Sequence, residues 1–509
     1  MAQLPPTHFL SLPRPDILFG PPAGVPDTTT LAAHDFDVDT RTGFMPPQPP
    51  LRRLGIEWEP WEALLDDAIS QRLQLGSKPD LPESERQKSE SWRERVRNLP
   101  ILPIDELKNS EITLRRAHLV LSWIMHFYVH SLPPSDPVRI PPPLTLPLLQ
   151  VSAQLQLPPV VTYSDDVLYN FYLEETESSD SDTPDILPTE SNIRCLTTFT
   201  STNDEAEFYL TSGRMELAGV EALELMRSTM DEAFVGDDIA VRRITEYLHQ
   251  MVEVIHRLKA MLLDVKGKCD PHIFYNEIRP WFRGEDSQSG QKWVFEGIEQ
   301  DPTLAEPHEL SGPSAGQSSL IHAIDTFLGV DQYSHHQQLT GHHPPEDDTL
   351  DVHTASASSS IIPYQKSAFL QRMQLYMPRH HRAFLTHLAN NPRPLRNLVL
   401  QAAFGDSEDA EAKKRGAALL EAYNAAVTAL KEFRDAHMII VALYIIGPAR
   451  RAKQVTAELQ GNKDGEKGVV ETVAEAATAP LKGTGGTDMV RFLKSVRDQT
   501  KEALLSVIT

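Results

Sequence analysis

Apolar residues recur at helical spacing along most of this chain. Between Asp237 and Val265, residues Ile244, Leu248, Met251, Ile255, Leu258 and Leu262 follow in alternating steps of four and three. That spacing sets all six on one face of a helix. From Ile112 to about His130 the apolar positions run almost all round, which predicts a buried helix. Further helices are predicted near Leu148 to Leu155, Tyr163 to Leu173, Asp204 to Met230, Asp270 to Phe282 and Ser314 to Leu328. The pattern resumes at Phe369 to Met377, Pro378 to Leu388 and Pro394 to Ala403. A long helix follows from about Ser407 to Ile446, with Gly447 and Pro448 as its stop signal. Thr487 to Ser506 predicts a closing helix. Strand alternation is almost missing, and Trp293-Val294-Phe295 is its best candidate. The expected fold class is all-α.

The interruptions are also patterned. Residues 1 to about 60 are proline-rich without a sustained period, and are expected to wrap a surface rather than build a core. The 40 prolines cluster in the first hundred residues, around Pro133 to Pro147 and near Pro344 and Pro345, which predicts connections and helix boundaries. Glu174 to Glu190 reads as an acidic, Ser-rich, unstructured loop. Residues 334–360 are His-rich, then acidic, then Ser-rich, and read as a flexible insertion. Residues 449–482, charged and rich in Gly and Ala, read as a second one.

Charge and composition narrow the function classes. A net charge of -23 over 509 residues, with no long basic stripe, argues against nucleic acid as partner. The core can be large enough to enclose a cofactor. Cys195 and Cys269 form no CxxC pair, so neither a disulfide framework nor a structural zinc site is expected. The first residues lack a basic start followed by an apolar run, and the most apolar stretch, Met438 to Ile446, is too short to span a bilayer. The expectation is a soluble cytoplasmic protein with no membrane partner.

Candidate chemistry is sparse at first sight. There is no G-x-S-x-G elbow, HExxH, P-loop or GxGxxG, which makes a cofactor held between helices more attractive. His437, in Phe433-Arg434-Asp435-Ala436-His437-Met438, sits where a long helix turns strongly apolar. A helical histidine facing an apolar cavity suits a haem iron, although a lone histidine there is more often a core residue. Arg434 lies one turn earlier on the same face. The small residues Ser314-Ala315-Gly316-Gln317-Ser318-Ser319 permit close approach to a flat ligand, or else simply cap a helix. Gly483-Thr484-Gly485-Gly486-Thr487-Asp488 reads as a lid or as a linker ending in a cap. His335, His336, His342 and His343 read as a solvated loop rather than a metal site.

Taken in order, these segments resemble the indoleamine 2,3-dioxygenase family. The resemblance is carried by Phe36-Asp37-Val38-Asp39, Gly43-Phe44-Met45-Pro46 and Pro50-Leu51, by Arg115-Arg116-Ala117-His118, and by Leu157-Pro158-Pro159-Val160-Val161-Thr162-Tyr163. Cys269-Asp270-Pro271, Phe274-Tyr275, Ile278-Arg279-Pro280, the Ser314 run, Tyr376-Met377-Pro378 with His381-Arg382, Phe433-Arg434 with His437, and the Gly483 run continue it. It covers most of the chain.

The resemblance implies a smaller N-terminal domain (1–190, with the proline-rich arm) and a larger helical domain (191–509), with haem b between them. It implies insertion of both atoms of O2 across the indole C2–C3 bond of L-tryptophan or a related indoleamine. The product is N-formylkynurenine, in a kynurenine route towards NAD, and an external electron donor primes the iron. The protein is expected to act as a monomer. His437 matches the proximal ligand, and Arg434 an arginine near a propionate with Asp325 as its acidic partner. Arg279 matches the holder of the substrate carboxylate, for which a guanidinium fork is well shaped. Phe274 matches an aromatic on the indole, and Phe208 and Tyr163 match pocket walls. Ser212 falls at the distal serine, Ser314 and Ala315 at the distal haem face, and Thr484 at a lid threonine. For the three aromatics ordinary packing stays open, and for Arg279 a surface ion pair.

Three positions depart from the family pattern. Pro313 replaces a glycine, Arg283 a small residue, and Asp166 a small neutral pocket residue. A buried carboxylate at Asp166 needs a partner or a raised pKa. These departures support an alternative expectation, a haem-binding member with weak or no tryptophan turnover.

Overall fold

The computed structural model describes residues 36–174, 186–287, 291–330, 369–406, 408–452 and 489–505. The four-and-three stripe folds into one helix, Asp238–Asp264, capped by Asp237, whose carboxylate accepts from the Ile239 and Ala240 amides at 2.9 and 2.8 Å. Ile244, Leu248, Met251, Ile255 and Leu258 are all buried on its inner face. Each such side chain contributes about 1.5–3 kcal/mol of burial energy. The face packs chiefly against the long helix Ala410–Val441. Val220–Val235, Ser319–Leu328, Arg379–Ala389, Leu395–Phe404 and Met489–Glu502 complete this bundle around one apolar core.

A second core is built round Glu111–His130, buried from Ala117 to His130. Glu59–Ser70, Glu83–Arg97 and Pro142–Leu155 enclose it. Ile440 and Tyr444, from the end of the long helix, reach into this same core. A small third cluster joins Met45, Tyr163 and Val167 to Asn203–Ala218. Among the described residues the fold is all-α apart from two short pairings of named strands, Arg139–Ile140 parallel to Val294–Phe295 and Phe171–Leu173 antiparallel to Ile193–Cys195. Among the described residues no helix is long and apolar enough to cross a membrane.

The structure corrects several expectations. The helix at Leu148 begins earlier, at Pro142, because Pro142 and Pro143 occupy its first turn, where an amide is not needed. Pro147 lies inside that helix rather than at a boundary. The segment Tyr163 to Leu173 is one wide turn, Ser164–Leu168, and then a strand. Asp204 to Met230 is two helices meeting at Gly219. Asp270 to Phe282 is a chain of tight and wide turns, Pro271–Ile273, Phe274–Ile278 and Arg279–Phe282. Gly447 and Pro448 do not stop the long helix, since helical residues continue through 447–452. The wide turn Ala442–Ile446 just before them makes room for the proline. The early proline-rich segment does contribute to a core, since Phe44 and Met45 are buried. Glu59–Ser70 and Glu83–Arg97 were not foreseen. The insertions at 334–360 and 453–482, most of the acidic loop, residues 1–35 and the Gly483 run lie outside the described residues.

Candidate functional site

Between the two large cores lies a cavity of about 280 Å³. The long helix supplies one wall with Phe433, Arg434, His437, Ile440 and Val441. His437 lines the cavity, and neither ring nitrogen has a hydrogen-bond partner among the described residues. Burial, with Arg434 adding to it, pulls its pKa down to about 4. The imidazole is therefore neutral at pH 7, with a lone pair free for a ligand. Arg434 is locked in place. Its Nη2 donates to both carboxylate oxygens of Asp325 at 2.5 and 2.6 Å, and its Nη1 to Thr500 Oγ1 on the closing helix.

The facing wall begins at Ser314. Its hydroxyl accepts from the Gly316 amide at 3.2 Å, so Ala315–Gln317 winds as one tight turn, with Ser314, Ala315 and Gly316 along the cavity. Ser318 then caps Ser319–Leu328. This loop is tied to two other elements. Gln317 Oε1 accepts from the Tyr163 amide at 2.8 Å, and Glu216 Oε1 accepts from Tyr163 Oη at 2.8 Å and Ser318 Oγ at 2.7 Å. Burial raises the Glu216 pKa to about 7, against the pull of those two donors.

The helix Asn203–Ala218 presents Phe208, Ser212, Met215 and Glu216 to the cavity. Their spacing of four, three and one keeps them on one face. The Ser212 hydroxyl has no hydrogen-bond partner among the described residues. Phe208 and Phe274 pack with ring centroids 4.6 Å apart, and Phe282 lies 6.2 Å from Phe208. Tyr444 closes this aromatic wall, its hydroxyl donating to the Cys269 and Val265 carbonyls at 2.6 and 3.1 Å.

Arg279 is a second buried cation of the site, beside Arg434. It is only 5% exposed, which excludes the surface ion pair that its sequence left open. Its guanidinium lies 5.8 Å from the centre of the Tyr275 ring. Burial and then the neighbouring Arg283 bring its pKa down to about 10, so it stays charged at neutral pH. The turn that carries it rests on backbone contact. A Cβ on Gly312 would meet the Phe282 carbonyl at 1.7 Å, and one on Gly284 would meet the Leu310 carbonyl at 1.9 Å. Only glycines allow these two strands of chain to touch, and the touch brings the Arg279 turn against the Ser314 loop. From the other side, His126 Nδ1 donates to the Trp281 carbonyl at 2.7 Å and His130 Nε2 to the Arg283 carbonyl at 2.8 Å. Burial keeps both rings neutral, His126 at about 4 and His130 well below its ordinary value.

One cavity thus gathers Tyr163, Phe208, Ser212, Phe274, Arg279, Ser314, Ala315, Arg434 and His437. Thr484 lies outside the described residues. Of the three departures, Asp166 and Pro313 line the cavity, while Arg283 acts on Arg279 through its charge. Sequence reasoning missed Glu216, Phe282, His322 and Tyr444. Glu216 was open to discovery, since it stands one helical turn after Ser212 on the same face.

Comparison with known proteins gives one consistent result. Residues 32–503 match the family model described as indoleamine 2,3-dioxygenase. The chain is 31% identical to an indoleamine 2,3-dioxygenase of Saccharomyces cerevisiae, with 90% of each chain covered. It is 28% identical to a 6-hydroxytryptophan 2,3-dioxygenase of Fusarium equiseti, covering 94% of this chain and 99% of the relative. It is 29% identical to indoleamine 2,3-dioxygenase 1 of Rattus norvegicus, covering 93% and 95%.

Proposed function

Because the chain belongs to the indoleamine 2,3-dioxygenase family, we propose that its cavity holds haem b and cleaves the indole C2–C3 bond of L-tryptophan with O2, giving N-formylkynurenine. The observation that carries this reading is His437, a neutral imidazole on the cavity wall with no protein hydrogen bond on either nitrogen among the described residues. A buried polar ring left without a partner fits a metal ligand. Arg434 and the Ser314-Ala315-Gly316 turn would hold the rest of the group, the first by its charge and the second by its lack of bulk. When bound, haem supplies the O2 activation that allows both oxygen atoms to enter the indole.

The protein's own residues then bind and orient. Arg279 takes the substrate carboxylate, where a charge-assisted pair formed out of water is strong. Phe274 and Phe208 take the flat face of the indole. Ser212 stands on the same helix face, within the cavity, where a hydroxyl can meet a polar atom of substrate or oxygen. Thr484, beyond the described residues, is assigned to the substrate's amino group. The apolar lining excludes water, so the reacting atoms meet only fixed protein groups. The names of the relatives, for indoleamines and for 6-hydroxytryptophan, fit an indole amino acid as substrate class. L-tryptophan, O2 and an external electron donor are the partners of this reading.

The test is anaerobic reduction of the haem-loaded protein, then addition of O2 and L-tryptophan while N-formylkynurenine absorbance is followed. Product formation, lost together with haem absorbance in His437→Ala, is the expected result. A haem spectrum without product would keep His437 as ligand and assign the protein another role. Full haem retention in His437→Ala would overturn the ligand assignment.

A further inference from the structure

Asp166 is a carboxylate of this site that the reading above does not use. It lines the cavity and is only 4% exposed. The other buried carboxylates near it each accept at least two hydrogen bonds. Glu205 accepts from the Phe199 and Thr200 amides at 2.7 Å each and from Tyr209 Oη at 2.8 Å. Asp165 accepts from His118 at 2.8 Å and from the Thr162 amide and hydroxyl at 2.9 and 2.7 Å. Glu216 takes both Tyr163 and Ser318 on Oε1, and its Oε2 has no partner among the described residues. Among the described residues Asp166 Oδ1 has no partner, and its carboxyl receives nothing beyond its own backbone amide. Leaving a buried polar atom unpaired costs stability, so a carboxyl kept short of donors in a cavity wall points to a ligand that hydrogen-bonds with it.

Its neighbourhood says which part of a ligand. The charges acting on Asp166 are Asp165 and Glu205, neither of them a guanidinium. Asp166 is not among the groups acting on Arg279. Arg279 and Asp166 are therefore separate anchoring points rather than an ion pair. An amino acid held by its carboxylate at Arg279 keeps its ammonium, one carbon away, at that same end. What remains to reach Asp166 is the far edge of the ring. Burial, with Asp165 and Glu205 adding to it, raises the Asp166 pKa well above the ordinary carboxylate range. A carboxyl in either protonation state can hydrogen-bond with a hydroxyl, and is wasted on a hydrocarbon edge.

We propose that Asp166 is a specificity-determining residue that selects an indole amino acid carrying a hydroxyl on its benzo ring over unsubstituted tryptophan. The proposal rests on the dioxygenase reading above and narrows its substrate. A site with a buried hydrogen-bonding group discriminates against an analogue that cannot answer it.

The experiment compares L-tryptophan, 5-hydroxy-L-tryptophan, 6-hydroxy-L-tryptophan and 1-methyl-L-tryptophan on the haem-loaded full chain. It measures kcat/KM for turnover and Kd by calorimetry, for the native protein and for Asp166→Asn and Asp166→Val. One hydroxylated substrate is expected to exceed tryptophan by roughly tenfold or more in both measures. Asp166→Val should collapse that ratio about tenfold, Asp166→Asn should keep part of it, and the Val variant should melt no lower than the native protein. Equal preference for tryptophan and both hydroxylated substrates in the native protein would overturn the proposal. So would a preference for tryptophan that is lost on N-methylation, since Asp166 would then accept from the indole N–H. A purely packing role is told apart by a lowered melting midpoint with an unchanged substrate ratio, and that too would overturn it. No turnover of any of these indoles would sink the dioxygenase reading itself.

Discussion

Arg434 grips Asp325 through both carboxylate oxygens, at 2.5 and 2.6 Å, within the wall of the cavity. The pair joins the long helix to Ser319–Leu328 one turn away from His437, and Thr500 ties the closing helix to the same guanidinium. Asp325→Ala would leave Arg434 buried without its partner carboxylate. Breaking such a pair from one side costs about 3–5 kcal/mol. Chemical denaturation should read that loss, and the double variant Asp325→Leu, Arg434→Met should recover much of it. A double variant as unstable as the sum of the singles would mean that the two residues do not act as a pair.

Arg279 is the charged anchor proposed for the substrate carboxylate. Arg279→Ala should raise KM for the indole substrate by roughly ten- to a hundredfold, the worth of one charge-assisted hydrogen-bonded pair. Arg279→Lys should restore only part, since an ammonium lacks the planar fork. The haem spectrum should be unaffected in both variants. Steady-state kinetics with a spectral check measures this, and an unchanged KM would remove Arg279 from the binding site.

His126 and His130 lie one turn apart on Glu111–His130 and donate to the Trp281 and Arg283 carbonyls, on the segment that follows Arg279. They position Arg279 without touching the cavity. His130→Ala should raise KM roughly fivefold, about 1 kcal/mol of lost positioning, with kcat nearly constant. His130→Gln, which can still donate, should rescue it. A fall in kcat at constant KM would contradict the positioning role.

Glu216 has an ordinary carboxyl pKa of 4.5 when exposed and about 7 when folded. The folded state therefore holds this proton more tightly than the unfolded chain does. The stability this contributes is complete below about pH 4.5 and is lost as pH rises through about 7. The span amounts to an order of 3 kcal/mol. Denaturation midpoints for the native protein should fall between pH 5 and pH 8 more than those of Glu216→Gln, which has no proton to lose. Parallel curves for the two proteins would show that Glu216 does not titrate in this window.

Parts of this site were legible in the order of residues. Arg279 and His437 stood out because their residue types are rare in such apolar company and because the motifs around them matched a family in sequence. Asp166 stood out for the opposite reason, a charge where a small neutral side chain belongs. Glu216 did not, because a glutamate on a mixed helix reads as a solvated one. Its burial depends on Tyr163 and Ser318 arriving from elements 53 and 102 residues distant. The Phe171–Leu173 strand was read as helix because an apolar run of that length fits both periods, and only its pairing with Ile193–Cys195 decides.

What the sequence by itself determined is the helical class and the list of groups able to do chemistry. Period and motif are properties of neighbours along the chain, and Ile244 to Leu262 carry theirs without help. What only the tertiary structure decided is which of those groups meet, and in what state. Arg279 became a buried cation because Gly284 and Gly312 let two backbone segments touch. His437 became a neutral ring because helices from both cores shut water away from it. Asp166 was left with an unpartnered oxygen among the described residues, while Thr200 and Tyr209 serve Glu205 and Thr162 serves Asp165. Those outcomes are sums of contacts between distant segments, and no local pattern encodes them.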